Sequence, residues 1–389
     1  MSECCGGKSS GQTGSESYFD PMIAHCLAYA QKAKAQGRPI VGIMCEFTPR
    51  ELIMAAGGVP VCLCGGSQDM IGPAENDLPA NLCPLIKSTY GYHVEKANPF
   101  LEMADLIVAE TTCDGKKKMY ELMGQTRDMA VLELPQKPDD PDAFAHWVAE
   151  LNKLKTRLES QFNTTITPDS LGDAIKTMNR ERRLRRALAH VMTSDAPPIT
   201  GRQLLTYKSI ISGIKEDLDH YEEALTQLTH QPDGHQGRVR VLLTGVPTVH
   251  GAERVIDIIE DGGGLIVCME SCTGIKPIWE DVEEGTDDPM AALARKYMDL
   301  PCSVMTSNDR RMDLLTDLAG QFNVECIVDL SWLACLTYDV ESCRVKQLAE
   351  DTLGLPYLRI STDYAPSDTA RIALRVEALF ETVRSRQGF

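Results

Sequence analysis

The sequence predicts an α/β protein with two parallel-sheet domains joined by a helical region. Two stretches of the chain alternate short apolar runs with helical patterns, which is the signature of parallel strands linked by crossover helices. The stretch between them carries apolar residues at helical spacing and no strand-like run. A third observation, a weak similarity between the two alternating stretches, makes the domains a repeat.

Residues 1–16 form a Gly/Ser-rich tail, and Tyr18 to Gln36 carries Ala, Leu and Ile at helical spacing, giving an N-terminal unit of 1–37. The first α/β domain spans 38–138, with strand-like IVGIMC, VPVCLCGG, ADLIVAETTC and MAVLELP and the helical PRELIMAAGG. Residues 139–237 are helical, including HWVAELNKLKTRLESQF and SLGDAIKTMNRERRLRRALAHVM, and TPDS before Leu171 is an N-cap signal. Gln231 to Gly237 is a turn-rich boundary. The second α/β domain fills 238–389, with VRVLLTGVP, LIVCMESCTG and ECIVDLSWLACL as strands. ERVIDIIEDGGG is a helix whose Asp261 to Gly264 reads as a stop and turn. The layout of both domains is Rossmann-like.

The repeat aligns GVPVCLCGG with GGLIVCMESCTG, DLPANLCPL with DLPCSVM, and ADLIVAETTCDGKKKMYE with ECIVDLSWLACLTYDVES. Cys64, Cys83 and Cys113 then correspond to Cys272, Cys302 and Cys335. The spacing agrees, with 30 residues from Cys83 to Cys113 and 33 from Cys302 to Cys335.

A net charge of −17 sets this chain against nucleic acid and anionic membranes as general partners. No window approaches the roughly 18 apolar residues of a membrane span, and the N-terminus has no basic-then-apolar leader. These features predict a cytoplasmic location. In that reducing compartment 14 cysteines do not read as a disulfide framework, which leaves metal binding as the reason for the surplus.

Ligands of open α/β sheets bind beyond the carboxyl ends of the strands, and at least four of the six repeat-related cysteines fall where a strand pattern stops. Helix N-termini there favour thiolates, and thiolates hold iron–sulfur clusters. Three thiolates per domain is one short of a fully cysteine-bound cubane, so each set leaves an open iron or a bridge between two cubanes. Packing is the competing reading of any cysteine, because the free thiol behaves as a small hydrophobe. Cys26, Cys326 and Cys343 take that reading, and Cys4 and Cys5 in the tail are incidental. Zinc lacks its matched CxxC pairs here.

At these residues the chain resembles the 2-hydroxyacyl-CoA dehydratase D-component family, and within it the double-cubane-cluster branch. The similarity covers about 38–135 and 238–385, through CEFTPRELIMAAGGVPVCLCG, LPANLCPLIKSTYG, ETTCDGKKKMYE, CMESCTGIKP, ARKYMDLPCSVMTSNDRR, WLACLTYDVES and STDYAPSDTARIALRVEALFE. It implies a cubane on Cys83, Cys113 and Cys335, with Cys272 and Cys302 as further ligands. The repeat makes Cys64 the sixth ligand, with Cys45 as the rival. The resemblance further implies a double cubane (8Fe-9S) or a 4Fe-4S cubane, and anaerobic chemistry. Electrons would come from a separate homodimeric ATPase activator with its own 4Fe-4S cluster, in keeping with the absence of a GxxxxGK[ST] motif here. Leu336 stands where histidine is usual after the last cluster cysteine, Val304 where a second cysteine often follows Cys302, and Asp339 and Ser361 replace Asn and Glu.

Other candidates carry two readings each. Lys87, Ser88 and Tyr90 are donors toward a cluster or a plain helix start. Lys116 to Lys118 offset cluster charge or form a solvated face. His250 is an acid or a structural loop histidine, Glu46 beside Cys45 is similar, and Arg180 to Arg186 is a salt-bridged helix face. The whole predicts a homodimeric, low-potential iron–sulfur reductase of a small molecule. The alternatives are a 4Fe-4S 2-hydroxyacyl-CoA dehydratase subunit, whose open iron polarises a thioester carbonyl, and a non-enzymatic electron carrier or cluster scaffold.

Overall fold

A computed structural model describes residues 18–230 and 234–386. The tail with Cys4 and Cys5, and residues 231–233 of the turn-rich boundary, lie outside the described residues.

Two four-stranded sheets organise the fold. The first holds β1 (Ile40–Ile43), β2 (Val59–Cys62), β3 (Leu106–Glu110) and β4 (Met129–Leu132) in the order β2-β1-β3-β4. The second holds β5 (Val239–Gly245), β6 (Gly264–Glu270), β7 (Cys326–Trp332) and β8 (Tyr357–Thr362) in the order β6-β5-β7-β8. Every pairing within them is parallel. The shared order gives the sequence repeat a structural meaning: both domains are Rossmann-like, with the direction of winding reversing between β1 and β3, and between β5 and β7. Strands such as LIVAE and GLIVCME are buried along their whole length, as expected where helices cover both faces of a parallel sheet.

The helices follow in chain order as α1 (Met22–Ala35), α2 (Arg50–Ala55), α3 (Pro84–Val94), α4 (Asp114–Met123), α5 (Pro141–Phe162) and α6 (Pro168–His190). After them come α7 (Lys215–Thr229), α8 (Arg254–Asp261), α9 (Pro289–Met298), α10 (Asp309–Gln321), α11 (Leu336–Gln347) and α12 (Thr369–Arg386). Four of these open with proline, whose fixed φ and missing N–H suit the first helical position. The TPDS signal is realised as a capping box in which Thr167 and Ser170 satisfy each other's backbone N–H. α8 stops at Gly262, Gly263 takes φ +94° and β6 begins at once, so the Asp261–Gly264 stop is real.

The arginines of α6 are paired as expected: Arg180 with Asp219 and Glu222, and Arg183 and Arg186 with Asp281. Arg182 does more. It is 2% exposed, bonds Glu51 of α2, and Tyr297 of α9 donates to the same carboxylate at 2.8 Å. One buried carboxylate thus ties both sheet domains to the helical region. Burying such a pair is tolerable because every charged oxygen has a donor. The segment before α7 also runs beside β2, with the Cys62 amide donating to the Ile210 carbonyl at 2.9 Å. No helix among the described residues is long and apolar enough to cross a membrane.

Candidate metal centre

The carboxyl ends of the two sheets bring the predicted cysteines together. Cys83, Cys113 and Cys335 occupy the N-cap positions of α3, α4 and α11, and none of them spends its side chain on capping its helix. Three helix N-termini therefore present thiols where the macrodipole favours negative sulfur. Cys83 and Cys335 come from different domains, and each is the other's strongest electrostatic partner. Cys335 first, and the Ile86 and Leu85 amides after it, pull the Cys83 thiol below its ordinary value despite burial. Cys335 is pushed up by the same contact.

A second group forms alongside. Cys272 follows β6, Cys302 is 8% exposed, and the two are electrostatic neighbours of each other. Cys45, beyond β1, faces both of them, and burial pushes its thiol well up. Cys64, beyond β2, is likewise raised by burial, with Lys116 opposing. Tyr364 faces Cys83, Cys64 and Cys335 together. Cys45 thus keeps company with Cys272 and Cys302, whereas Cys64 lies toward Cys83 and Cys335.

The packing reading suits Cys26 and Cys326, which are buried, but Cys343 is exposed on α11. Among the described residues no three His, Cys, Asp or Glu side chains converge closely enough to hold a single metal ion. A cluster is a different guest, because its own iron and sulfide stand between the thiolates. The donor set fits one: soft thiols at helix N-termini, drawn from both sheets, with ammonium groups beside them.

Those cations are a finding the sequence left open. Lys116 turns inward, donates to the Met44 carbonyl at 2.9 Å and faces Cys45, Cys64 and Cys113. Lys117 and Lys118 remain at the surface, paired with Asp114 and Glu121, so the solvated-face reading holds for two of the three. Lys276 mirrors Lys116. It is 2% exposed, faces Cys272 and Cys302, lies 2.9 Å from Glu270 and donates to the Tyr338 hydroxyl at 3.0 Å. Arg311, fully buried, completes this side by joining Glu270 to Glu341.

Sequence reasoning missed Glu110 and Glu270. A signal existed, since LIVAE and LIVCME each end an otherwise apolar strand in glutamate. Burial raises Glu110 to about 7 against the pull of the Thr48 hydroxyl. Glu270, equally buried, is held low by Arg311 and Lys276.

The remaining candidates brace the site. Lys87 is buried and bonds Glu75 and the Ala80 carbonyl, both at 2.7 Å. Ser88 accepts from the Ser67 amide, and Tyr90 donates to Asp77. None of these contacts is with a thiol. Burial opposes it, but Arg50 and Lys208 hold the Glu46 carboxyl down at about 2, which leaves it a structural anion. His250 lies in the loop after β5, 3.8 Å from Glu253. Leu336 points outward at 71% exposure, Val304 packs in the core, Asp339 pairs with Arg359, and Ser361 lies on β8.

With this geometry in hand, comparison with known proteins is decisive. The family model for the 2-hydroxyglutaryl-CoA dehydratase D-component matches residues 45–383. The chain belongs to this family. A putative dehydratase subunit, YjiM of Escherichia coli (strain K12), is 40% identical over 354 residues, covering 90% of this chain and 92% of that protein. The (R)-phenyllactyl-CoA dehydratase beta subunit of Clostridium sporogenes is 22% identical over 94% of this chain and 97% of its own length. One of the subunits of benzoyl-CoA reductase from Thauera aromatica is 28% identical over 59% of this chain and 60% of that protein. As a D-component family member the chain is an enzyme component of the dehydratase and reductase kind.

Proposed function

We propose that this chain is the reductive component of a two-part system: it holds a double cubane between its two domains and reduces a small molecule. Electrons come from a separate ATP-dependent activator carrying its own 4Fe-4S cluster. The observation that supports it most is the meeting of two thiol groups from both sheets on one buried rim, each beside its own lysine. Cys83, Cys113 and Cys335 hold one part, and Cys272 and Cys302 belong to the other. The sixth place falls to Cys64 by the repeat or to Cys45 by its neighbours, and the neighbours favour Cys45.

When bound, a centre of this kind supplies low-potential, one-electron chemistry. The protein's own residues make that environment. Lys116 and Lys276 offset thiolate and sulfide charge, the N-termini of α3, α4 and α11 add backbone dipoles, and Trp332 packs edge-on at 4.9 Å against Tyr364, which neighbours Cys83, Cys64 and Cys335. The chain works as a homodimer in the cytoplasm under anaerobic conditions.

Anaerobic purification with iron and sulfide quantification tests this reading: about eight irons per chain are expected, against about four for a single cubane. The chain alone hydrolyses no ATP. One equivalent of zinc without iron, or robust ATPase activity of the isolated chain, defeats the proposal.

A second reading is favoured by the dehydratase beta subunits among the relatives. Here Cys83, Cys113 and Cys335 alone hold a 4Fe-4S cubane and the chain pairs with a different subunit. About four irons per chain, together with turnover of a 2-hydroxyacyl-CoA thioester, would establish it.

A further inference from the structure

Between the loop after β2 and the loop after β5 lies a cavity of about 280 Å³ that reaches Cys62 and Cys64 at its inner end. Its walls come from separate parts of the fold: Phe100 beyond α3, Leu205 and Ile210 from the helical region, and Val249 from the second domain. These are apolar. Lys208 and His250 are the cationic and imidazole groups facing the same space.

The cavity is firmly built. The Gly65 amide donates to Thr89 at 3.1 Å and the Ser67 amide to Ser88 at 2.9 Å, which ties the β2 loop to α3. A Cβ on Gly66 would stand 2.4 Å from Val249 Cγ2, so the two loops touch across the domain boundary and a side chain at 66 would have to displace Val249. At the polar end Lys208 Nζ donates to the Cys272 carbonyl at 2.9 Å and lies 3.7 Å from Glu46, whose nearer partner is Arg50 at 2.7 Å. Arg50 is the closer partner of that carboxylate, and Lys208 stands beside Cys64 and Cys272 as well.

Apolar walls with a few convergent polar groups are what small-ligand sites have in common, and their volumes run from about 300 to 1,000 Å³. This cavity lies just below that range. It can enclose a molecule of a few carbons whole, but a nucleotide-bearing thioester only by its acyl tip.

We infer that the cavity binds a small acyl compound free of any coenzyme. Its carbonyl or carboxylate faces Lys208 and His250, its carbon chain lies on Phe100, Ile210 and Val249, and its far side meets Cys64. The inference rests on the reductive reading for what the bound molecule is there to undergo; the walls themselves need no iron.

Butyrate and its neutral isostere butyramide are the probes, with binding to the full chain followed by ligand-observed NMR in protein with and without its iron. Millimolar binding of one or both is expected in either form. Val249→Trp, which fills the space, should weaken it at least tenfold, as should Ala97→Trp at the exposed mouth, a substitution that leaves the core alone. Lys208→Met should weaken butyrate at least fivefold and butyramide less. Binding of neither probe, binding untouched by both tryptophan variants, or butyryl-CoA binding more tightly than either probe overturns the inference. Protein that never acquires iron under anaerobic expression, yet binds butyrate, would defeat the cluster and leave the cavity standing.

Discussion

Cys83 and Cys335 belong to different domains, at the N-caps of α3 and α11, and stand as electrostatic partners across the domain boundary. The contact pairs one lowered thiol with one raised thiol. It draws the first thiol toward its ionised form, the state a metal needs.

Single serine replacements of Cys64, Cys83, Cys113, Cys272, Cys302 and Cys335 should separate ligands from packing residues. Each ligand variant is expected to lower bound iron or alter the visible spectrum. Cys26→Ser and Cys326→Ser should retain iron and lose about 1–3 kcal/mol of stability through a buried hydroxyl. Cys45→Ser decides the sixth ligand: iron loss there, with a full complement in Cys64→Ser, assigns it to Cys45.

Arg311 is the only described cation bonded to both Glu270 and Glu341. Arg311→Met should cost about 3–5 kcal/mol, because it takes the ion pair from buried Glu341 and leaves Glu270 with Lys276 as its one remaining cation. Urea unfolding measures this, and a loss below about 1 kcal/mol would show that the charges are better hydrated than their burial implies.

Glu110 gives the metal-free chain a pH-dependent term. Its native value near 7 lies above its ordinary 4.5, so between these values the native state keeps a proton that the unfolded chain has released. Stability should therefore fall as pH rises from about 4.5 to 7, by at most about 3 kcal/mol. Glu110→Gln should flatten that slope when urea midpoints are compared at pH 5 and pH 8. An unchanged slope refutes the assignment.

Gly91 on α3 offers a steric test. A Cβ there would stand 1.9 Å from the Met70 carbonyl oxygen, so Gly91→Ala must push α3 off the single helical turn at Gln68–Met70. A loss of about 1–3 kcal/mol is expected, with weakened iron retention because Cys83 caps the same helix. Thermal unfolding and iron content, read together, check it.

Much of the architecture was legible. Strand runs such as LIVAE, the TPDS cap and the Asp261–Gly264 stop are local signals, and local signals survive folding when nothing opposes them. The repeat was readable too, and the common strand order of the two sheets explains it. The placement of cysteines near strand ends was legible, and what surrounds them was less so. Lys116 and Lys118 look alike in KKK, and only the helical phase of α4 against the sheet turns one inward and leaves the other in water. Cys343 lies in a helical pattern like a packing residue, yet it faces solvent because α11 buries its opposite side.

The sequence by itself determined two parallel-sheet domains, their helical connection and a set of cysteines at strand ends, because hydrophobic periodicity and caps act over a few residues. Tertiary structure alone decided which thiols face one another, that Lys116 and Lys276 stand beside them, and that Glu110 and Glu270 are buried at the same rim. Those facts depend on how two sheets distant in sequence are set against each other. Charges and thiols gain their meaning from neighbours that burial brings near, and no local pattern records them.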